Sequence, residues 1–117
     1  MEQPVAEISI PVTKRIGGHT EYKVILISNS PKFNSNYITV NRRYSEILRL
    51  HKKILKFLPV LPSFPPKTWF RRFDKPIIEQ RRRTFELYFN FLLDFIFKNN
   101  LSEYNFTKDI FRFFNKK

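Results

Sequence analysis

The chain has 117 residues, of which 42% are hydrophobic and 17% aromatic, and its formal net charge is +12 at pH 7. This length suits one modest core, so we expect a single domain over residues 1–117. The lack of Cys excludes disulfides, and with only two His the chain has few ligands for a metal site. Neither a metal nor a cofactor is therefore expected. The most apolar run, 85–97, is too short to span a bilayer and is broken by Glu86, Asn90 and Asp94. We therefore expect a soluble or peripheral protein of the cytoplasm.

The positive charge is concentrated in the middle of the chain. Of the 22 basic residues, 13 lie between Arg42 and Arg83, together with only three of the ten acidic residues. Such a segment favours a polyanionic partner, and nucleic acid and anionic lipid both satisfy that description. A basic surface that serves only solubility is the remaining alternative.

Three segments of the first half have the alternating or apolar pattern of strands, at 7–13, 22–28 and 37–44. Pro11 favours an edge position for the first strand, because it has no backbone N–H to donate. Gly17-Gly18 supplies the turn to the second strand. The pattern predicts a three-stranded antiparallel β-meander.

Helices are predicted after the third strand. Ser45 is a suitable N-cap for a first helix, which cannot continue past Pro59. A proline-rich, extended loop then leads to a long helix at 76–98, and a short last helix begins near Thr107. The fold class is therefore α+β: a three-stranded antiparallel β-meander followed by a helical subdomain, with a proline-rich loop between the first two helices.

The long helix has a predicted inward stripe of six apolar residues: Ile78, Phe85, Tyr88, Phe89, Leu92 and Ile96. Two other apolar side chains of the helix lie off this stripe. They are Leu87 and Phe91. A second layer must cover them if they are buried, and the last helix is the candidate for that layer.

The junction between the third strand and the first helix is a candidate anion site. Strand alternation predicts Arg42 on the face of Tyr44 and Arg43 on the opposite face. The helix that opens at Ser45 leaves backbone N–H groups available at its N-terminus. A phosphate beside Arg43 would meet both the guanidinium and these donors, although a plain charged strand end would give the same residues.

Further cations lie in the loop and on the long helix. Arg81 and Arg82 fall on the inward stripe, where a guanidinium is costly unless an anion or several acceptors meet it; a wet helix start is the alternative. Lys67 follows Pro65-Pro66, which fixes the backbone before it and makes its ammonium a positioned charge.

The loop also carries two large apolar residues with cations around them. Trp69 and Phe70 suit a membrane interface, but they could equally be loop aromatics buried in the core. The spacing of Pro62 and Pro65 matches a polyproline ligand of the SH3 type, although its position between two helices restricts access. Neither His has a nucleophile beside it in a recognisable arrangement, and no other catalytic grouping is apparent, so we expect no enzyme activity.

Three motifs occur in a fixed order: Arg42-Arg43-Tyr44-Ser45, Pro65-Pro66-Lys67 and Glu79-Gln80-Arg81-Arg82. In this order and at these separations they resemble the phox-homology (PX) domain over nearly the whole chain. The likeness is greatest to the short, PX-only sorting nexins, although an excised domain of a longer protein would look the same. Ile47 and Phe85 replace the Phe and Leu usual in that family, and both changes concern packing.

The resemblance implies the roles of four residues. Arg43 would hold the 3-phosphate of phosphatidylinositol 3-phosphate, and Tyr44 would stack under the inositol ring. Lys67 would meet the 1-phosphate, and Arg81 would bond the 4- and 5-hydroxyls. The basic cluster is denser than one phosphate needs, which leaves a preference for more highly phosphorylated lipids or a second anionic-lipid contact open.

The resemblance also implies a function: a membrane-recruitment module that binds a phosphoinositide in endosomal sorting. Trp69 and Phe70 would form its membrane-inserting loop. We expect a monomer, peripheral on the cytosolic face of endosomal membranes, with trafficking proteins as partners and no nucleic acid. The alternatives are a nucleic-acid-binding basic domain and an SH3-binding module that uses the proline-rich loop.

Overall fold

The computed structural model describes residues 3–67 and 73–116. These residues form four strands and three helices: β1 (Ala6–Ser9), β2 (Thr13–Ile16), β3 (His19–Ser28), β4 (Tyr37–Arg43), α1 (Tyr44–Leu55), α2 (Lys75–Lys98) and α3 (Thr107–Asn115). The predicted fold class, an antiparallel sheet followed by helices, is confirmed.

The sheet is built around β3. This strand pairs antiparallel with β4 on one side and with both β1 and β2 on the other. The sheet is therefore three strands wide, and the first predicted strand is divided into two short segments. Pro11 lies in the gap between them, where a residue without an N–H interrupts the ladder. Gly17, in the turn from β2 to β3, has a φ of 56°, which glycine adopts without strain.

Polar side chains of α2 cover the outer edge of β1. Asn90 accepts a hydrogen bond from the Ile8 N–H at 2.8 Å and donates to the Ile8 carbonyl at 2.9 Å. Glu86 accepts from the Ile10 N–H at 2.7 Å, and Arg82 donates to the Ile10 carbonyl at 2.9 Å. An edge strand exposes unpaired backbone groups, and these side chains satisfy them at Ile8 and Ile10. Two of the three polar residues that interrupt the apolar run of α2, Glu86 and Asn90, have this structural role.

The core lies between the sheet and the helices. The largest fully buried side chains include Tyr22 of β3, Ile47 of α1 and Phe114 of α3. From α2 they include Phe85, Tyr88, Phe89, Leu92 and Ile96. Five of the six residues predicted for the inward stripe of this helix are thus buried, and the sixth, Ile78, packs against the core.

The predicted cover of Leu87 and Phe91 is wrong. Leu87 is 71% exposed and Phe91 39% exposed. The α3 rings Phe113 and Phe114 instead lie 5.5 Å from the ring of Phe89. At 100° per residue, Phe89 projects some 200° away from Leu87 around the helix axis, so one short helix cannot cover both sides.

The start of α1 also differs from the prediction. Ser45 is not the N-cap, because the helix begins at Tyr44 and Arg43 takes the cap position. The Glu46 carboxylate accepts a hydrogen bond from the Arg43 backbone N–H at 3.0 Å, which ties the first turn back to the cap residue. The strand therefore passes into the helix without a loop.

Candidate anion-binding pocket

A pocket of about 340 Å³ opens where four parts of the chain meet. These are the turn between β2 and β3, the junction of β4 with α1, the proline-rich loop and the first turns of α2. Its lining residues are Gly18, His19, Thr20, Tyr22, Arg43, Tyr44, Ser45, Lys67, Phe73 and Arg81. All four predicted headgroup residues line this one pocket.

Arg43 lies at the end of β4 and at the N-cap of α1. Its Nε donates a hydrogen bond to the Ser45 hydroxyl at 2.9 Å, which orients the guanidinium beside the helix start. The prediction that Tyr44 lies on the face of Arg42 is wrong. Tyr44 is the first residue of α1, so strand alternation ends at Arg43, and Arg43 and Tyr44 face the same pocket while Arg42 does not.

Tyr44 is a half-buried wall of the pocket. Its hydroxyl donates to the Pro65 carbonyl at 2.6 Å, and its ring centroid lies 5.8 Å from that of Phe64 and 6.1 Å from that of Phe85. Burial raises the pKa of Tyr44, and the charge of Arg81 acts in the opposite direction. The ring is thus rigidly held with its hydroxyl already bonded to the protein.

Arg81 is only 6% exposed. Its guanidinium carbon lies 4.1 Å from the centroid of the Tyr44 ring, and its Nη2 donates to the Pro66 carbonyl at 3.3 Å. It also lies beside Tyr22. Burial raises the pKa of Tyr22, and the charge of Arg81 acts in the opposite direction. A buried guanidinium is costly to maintain without acceptors, and this one is held by an aromatic face and a carbonyl at the base of an open pocket.

The adjacent Arg82 has a different environment. It hydrogen-bonds Glu79 and the Ile10 carbonyl, and the bond from Arg82 lowers the pKa of the Glu79 carboxyl. Arg82 does not line the pocket. The sequence placed both arginines on the inward stripe, and the structure brings only Arg81 to Arg43 and Tyr44.

Lys67 lies at the end of a well-anchored loop segment. Tyr44 bonds the carbonyl of Pro65 and Arg81 that of Pro66, the two residues before the lysine. Upstream, Phe64 stacks on His51 with ring centroids 4.4 Å apart and an interplanar angle of 14°. Lys67 itself is exposed at the pocket wall. The backbone that carries this cation is therefore held by α1 and α2 together.

Sequence reasoning missed the contribution of the β2–β3 turn and of Phe73. Gly18, His19 and Thr20 bring the turn to the pocket, and no local pattern indicates that the turn reaches it. The Phe73 ring lies 3.9 Å from the guanidinium carbon of Arg15, a contact between distant parts of the chain. The predicted membrane-inserting residues, Trp69 and Phe70, lie outside the described residues.

The lining as described contains three cations, Arg43, Lys67 and Arg81, and no carboxylate. The cations come from three separate parts of the chain, and Tyr44 forms an aromatic part of the same pocket wall. Guanidinium groups bind phosphate in a bidentate manner, and the start of α1 adds backbone donors. The volume falls in the range typical of small-molecule sites. The arrangement suits a compact ligand with several phosphates.

The fold and the pocket together suit a domain that binds an anionic ligand. The family model described as the PX domain matches residues 30–115. This chain belongs to the PX domain family. The predicted resemblance to PX domains and sorting nexins is confirmed.

Individual relatives agree with this assignment. Sorting nexin-3 of Mycosarcoma maydis is 32% identical over 85 residues, which are 68% of this chain and 21% of that protein. Sorting nexin-15 of Homo sapiens is 31% identical over 104 residues, 81% of this chain and 30% of that protein. A solved structure, "X-ray structure of a designed CISK-PX domain", matches with a TM-score of 0.63 and 28% identity, covering 89% of this chain and 96% of that one. This chain therefore spans less than a third of each of these two sorting nexins.

Membership of the PX domain family supports phosphoinositide-binding membrane recruitment. Within the described ranges, no helix combines the length and the apolar character that crossing a bilayer requires.

Proposed function

We propose that this chain is a membrane-recruitment module. It binds the headgroup of phosphatidylinositol 3-phosphate in the pocket between β4, α1 and α2. The observation that carries the proposal is the convergence of Arg43, Lys67 and Arg81 on one cavity of about 340 Å³ that Tyr44 walls. Each cation is delivered by a different element. A ligand with phosphates at two separate positions of a small ring would satisfy such a divided set of charges.

Each residue has a distinct part in the proposed complex. Arg43, beside the N-terminus of α1, binds the 3-phosphate, because guanidinium and helix N–H groups can act on one anion. Tyr44 forms the wall under the inositol ring. Lys67, exposed at the pocket rim, meets the 1-phosphate that joins the headgroup to the lipid. Arg81, at the base, bonds the 4- and 5-hydroxyls.

Membrane contact beyond the headgroup is assigned to Trp69 and Phe70. They follow Lys67 by two and three residues in the sequence, so a headgroup that touches Lys67 would bring them to the bilayer surface. Aromatic rings among cations are favoured at that depth. We propose that the domain is a monomer without enzyme activity, peripheral on the cytosolic face of endosomal membranes, and that it acts with trafficking proteins.

The two alternative functions have less support. Nucleic-acid binding through stacking needs exposed aromatics along a basic groove, whereas the pocket aromatics Tyr22 and Tyr44 are buried or half-buried. SH3 binding needs an accessible polyproline face, whereas Pro65 is buried and the carbonyls of Pro65 and Pro66 are bonded within the domain.

Liposome flotation tests the proposal. Vesicles of phosphatidylcholine with a few per cent of a single phosphoinositide are offered to the protein at physiological salt. We expect retention on phosphatidylinositol 3-phosphate and little on unphosphorylated phosphatidylinositol. Equal retention on all phosphoinositides of equal charge would refute the 3-phosphate assignment. Stronger binding to a single-stranded oligonucleotide than to any vesicle would favour nucleic acid.

A further inference from the structure

A second basic concavity lies between α1 and α3. Its volume is about 380 Å³, and we call it the α1–α3 groove. Five cations line it: Arg42, Arg49, Lys53, Arg112 and Lys116. None of its lining residues lines the anion-binding pocket.

The groove and the pocket open on different sides of α1. Glu46, Arg49 and Lys53 recur at spacings of three and four residues, so they share one stripe of the helix. Tyr44 and His51 share another stripe, which faces the pocket wall and the proline-rich loop. At 100° per residue the two stripes lie on roughly opposite sides of the helix.

Contacts within the protein satisfy some of the charged groups that line the groove. Arg42 donates to the carbonyls of Phe113 and Lys116, which fastens the end of α3 to the sheet. Asp109 lies 3.5 Å from Arg112 and 3.9 Å from Lys53, measured between the charged atoms.

The rim of the groove remains strongly basic. Arg49, Lys53, Arg112 and Lys116 are all exposed there. Among the described residues, Arg49 forms no ion pair. With Glu46 and Asp109 as the carboxylates in its lining, the groove retains a net positive charge.

We infer that the α1–α3 groove binds an acidic peptide segment of a partner protein. Charge complementarity carries the inference: several cations border a concavity that the protein's own carboxylates only partly neutralise. The side from which the partner approaches rests on the proposed function, because a bilayer held at the pocket would lie on the other side of α1. A partner in this groove would then approach from the aqueous side while the lipid remains bound.

A peptide suits the groove better than a nucleic acid. Glu46 and Asp109 would lie against a uniformly charged phosphate backbone, whereas a peptide can place uncharged residues opposite them. Phe113, half-buried in the lining, offers apolar surface for an aliphatic side chain between two acidic ones.

Fluorescence anisotropy without any lipid tests this inference independently of the lipid site. The probe is a fluorescein-labelled peptide of four Glu-Glu-Leu repeats, and the same peptide with Gln in place of Glu is its uncharged match. The test variant combines Arg49→Glu with Lys53→Glu. The control variant makes the same charge change elsewhere, with Lys14→Glu and Lys23→Glu at exposed positions of β2 and β3.

The groove variant should lose at least about tenfold in affinity for the acidic peptide, because like charges would then face each other across the interface. The control variant should lose less than about twofold, and both should melt near the wild-type temperature and bind soluble inositol 1,3-bisphosphate like the wild type. The inference is overturned by equal losses in the two variants, by no wild-type preference for the Glu over the Gln peptide, or by a groove variant whose loss is confined to phosphatidylserine vesicles or to oligo(dT).

Discussion

The guanidinium carbon of Arg81 lies 4.1 Å from the centroid of the Tyr44 ring, and each side chain also bonds a carbonyl of the proline-rich loop. One pair of residues thus joins α1, α2 and the loop that ends in Lys67. Contacts within the protein hold both side chains in place, so the base of the pocket is preorganised.

Arg81→Met should separate ligand binding from packing. Methionine keeps an apolar stem where the buried side chain lies, and replacing a buried charge with an apolar group of similar size is often neutral for stability. Loss of charge-assisted bonds, worth about 1.5–3 kcal/mol each, should lower affinity for soluble inositol 1,3-bisphosphate by about tenfold or more. Titration calorimetry and thermal melting measure the two effects.

Arg82→Met is the matched control. It removes bonds to Glu79 and to the Ile10 carbonyl, so its cost should appear in the melting temperature while the calorimetric affinity stays near that of the wild type. If Arg82→Met proves the more damaging change for headgroup binding, the assignment of Arg81 to the ligand is wrong.

Asn90→Leu tests the cover of the sheet edge. The change removes two hydrogen bonds to Ile8 and leaves its backbone N–H and carbonyl unsatisfied, which should cost about 1–3 kcal/mol of unfolding free energy in urea. Asp94→Leu, one turn away at an exposed position, removes only the surface ion pair to Lys98 and should cost less than about 1 kcal/mol. Equal destabilisation by both variants would contradict the edge-capping role.

The stability of the fold should fall in mild acid through His51. Burial lowers the pKa of His51, whose ring stacks on Phe64 and hydrogen-bonds the Tyr88 hydroxyl at 2.9 Å. Below the unfolded pKa of about 6.5, the unfolded chain binds a proton that the folded chain does not, so this group's contribution is lost as the pH falls toward the folded pKa. Urea unfolding at pH 7.5, 6.5 and 5.5 should show a smaller decline for His51→Gln than for the wild type. Parallel declines would exclude His51 as the cause.

Trp69 and Phe70 should matter for membranes and not for the soluble headgroup. Burying each ring in the interface could contribute about 1.5–3 kcal/mol at full burial. The double change Trp69→Ser and Phe70→Ser should therefore reduce liposome association by tenfold or more, while calorimetric affinity for inositol 1,3-bisphosphate and the melting temperature change little. A large fall in melting temperature would instead identify these rings as part of the core.

The sequence predicted the elements well where a periodic pattern met a clear stop signal. The long helix was predicted at 76–98 and is observed at Lys75–Lys98, because Pro76 and the apolar stripe define it locally. The sequence did not predict where α1 begins, since that depends on Glu46 bonding the Arg43 N–H at the strand end. The side of α2 that α3 would cover was also not predictable, because it depends on the path of a chain segment without a pattern.

The site was predictable only in part for a similar reason. Arg43, Tyr44, Lys67 and Arg81 belong to motifs that sequence reasoning can identify, and the structure brings them to one pocket. The turn residues of β2 and β3 reach it through sheet register, which no local pattern encodes. The different positions of Arg81 and Arg82 likewise depend on their neighbours. Arg81 lies against Tyr44 in the pocket, whereas Arg82 bonds Glu79 outside it.

The central claim, that Arg43 binds the 3-phosphate, is tested most directly by titration calorimetry of the wild type, Arg43→Ala and Arg43→Lys with soluble inositol 1,3-bisphosphate. Arg43 is exposed at the end of a strand, so both variants should fold. We expect Arg43→Ala to lose at least about tenfold in affinity, and Arg43→Lys to recover little, because the bidentate geometry is absent. Affinity of Arg43→Ala equal to that of the wild type would contradict the account.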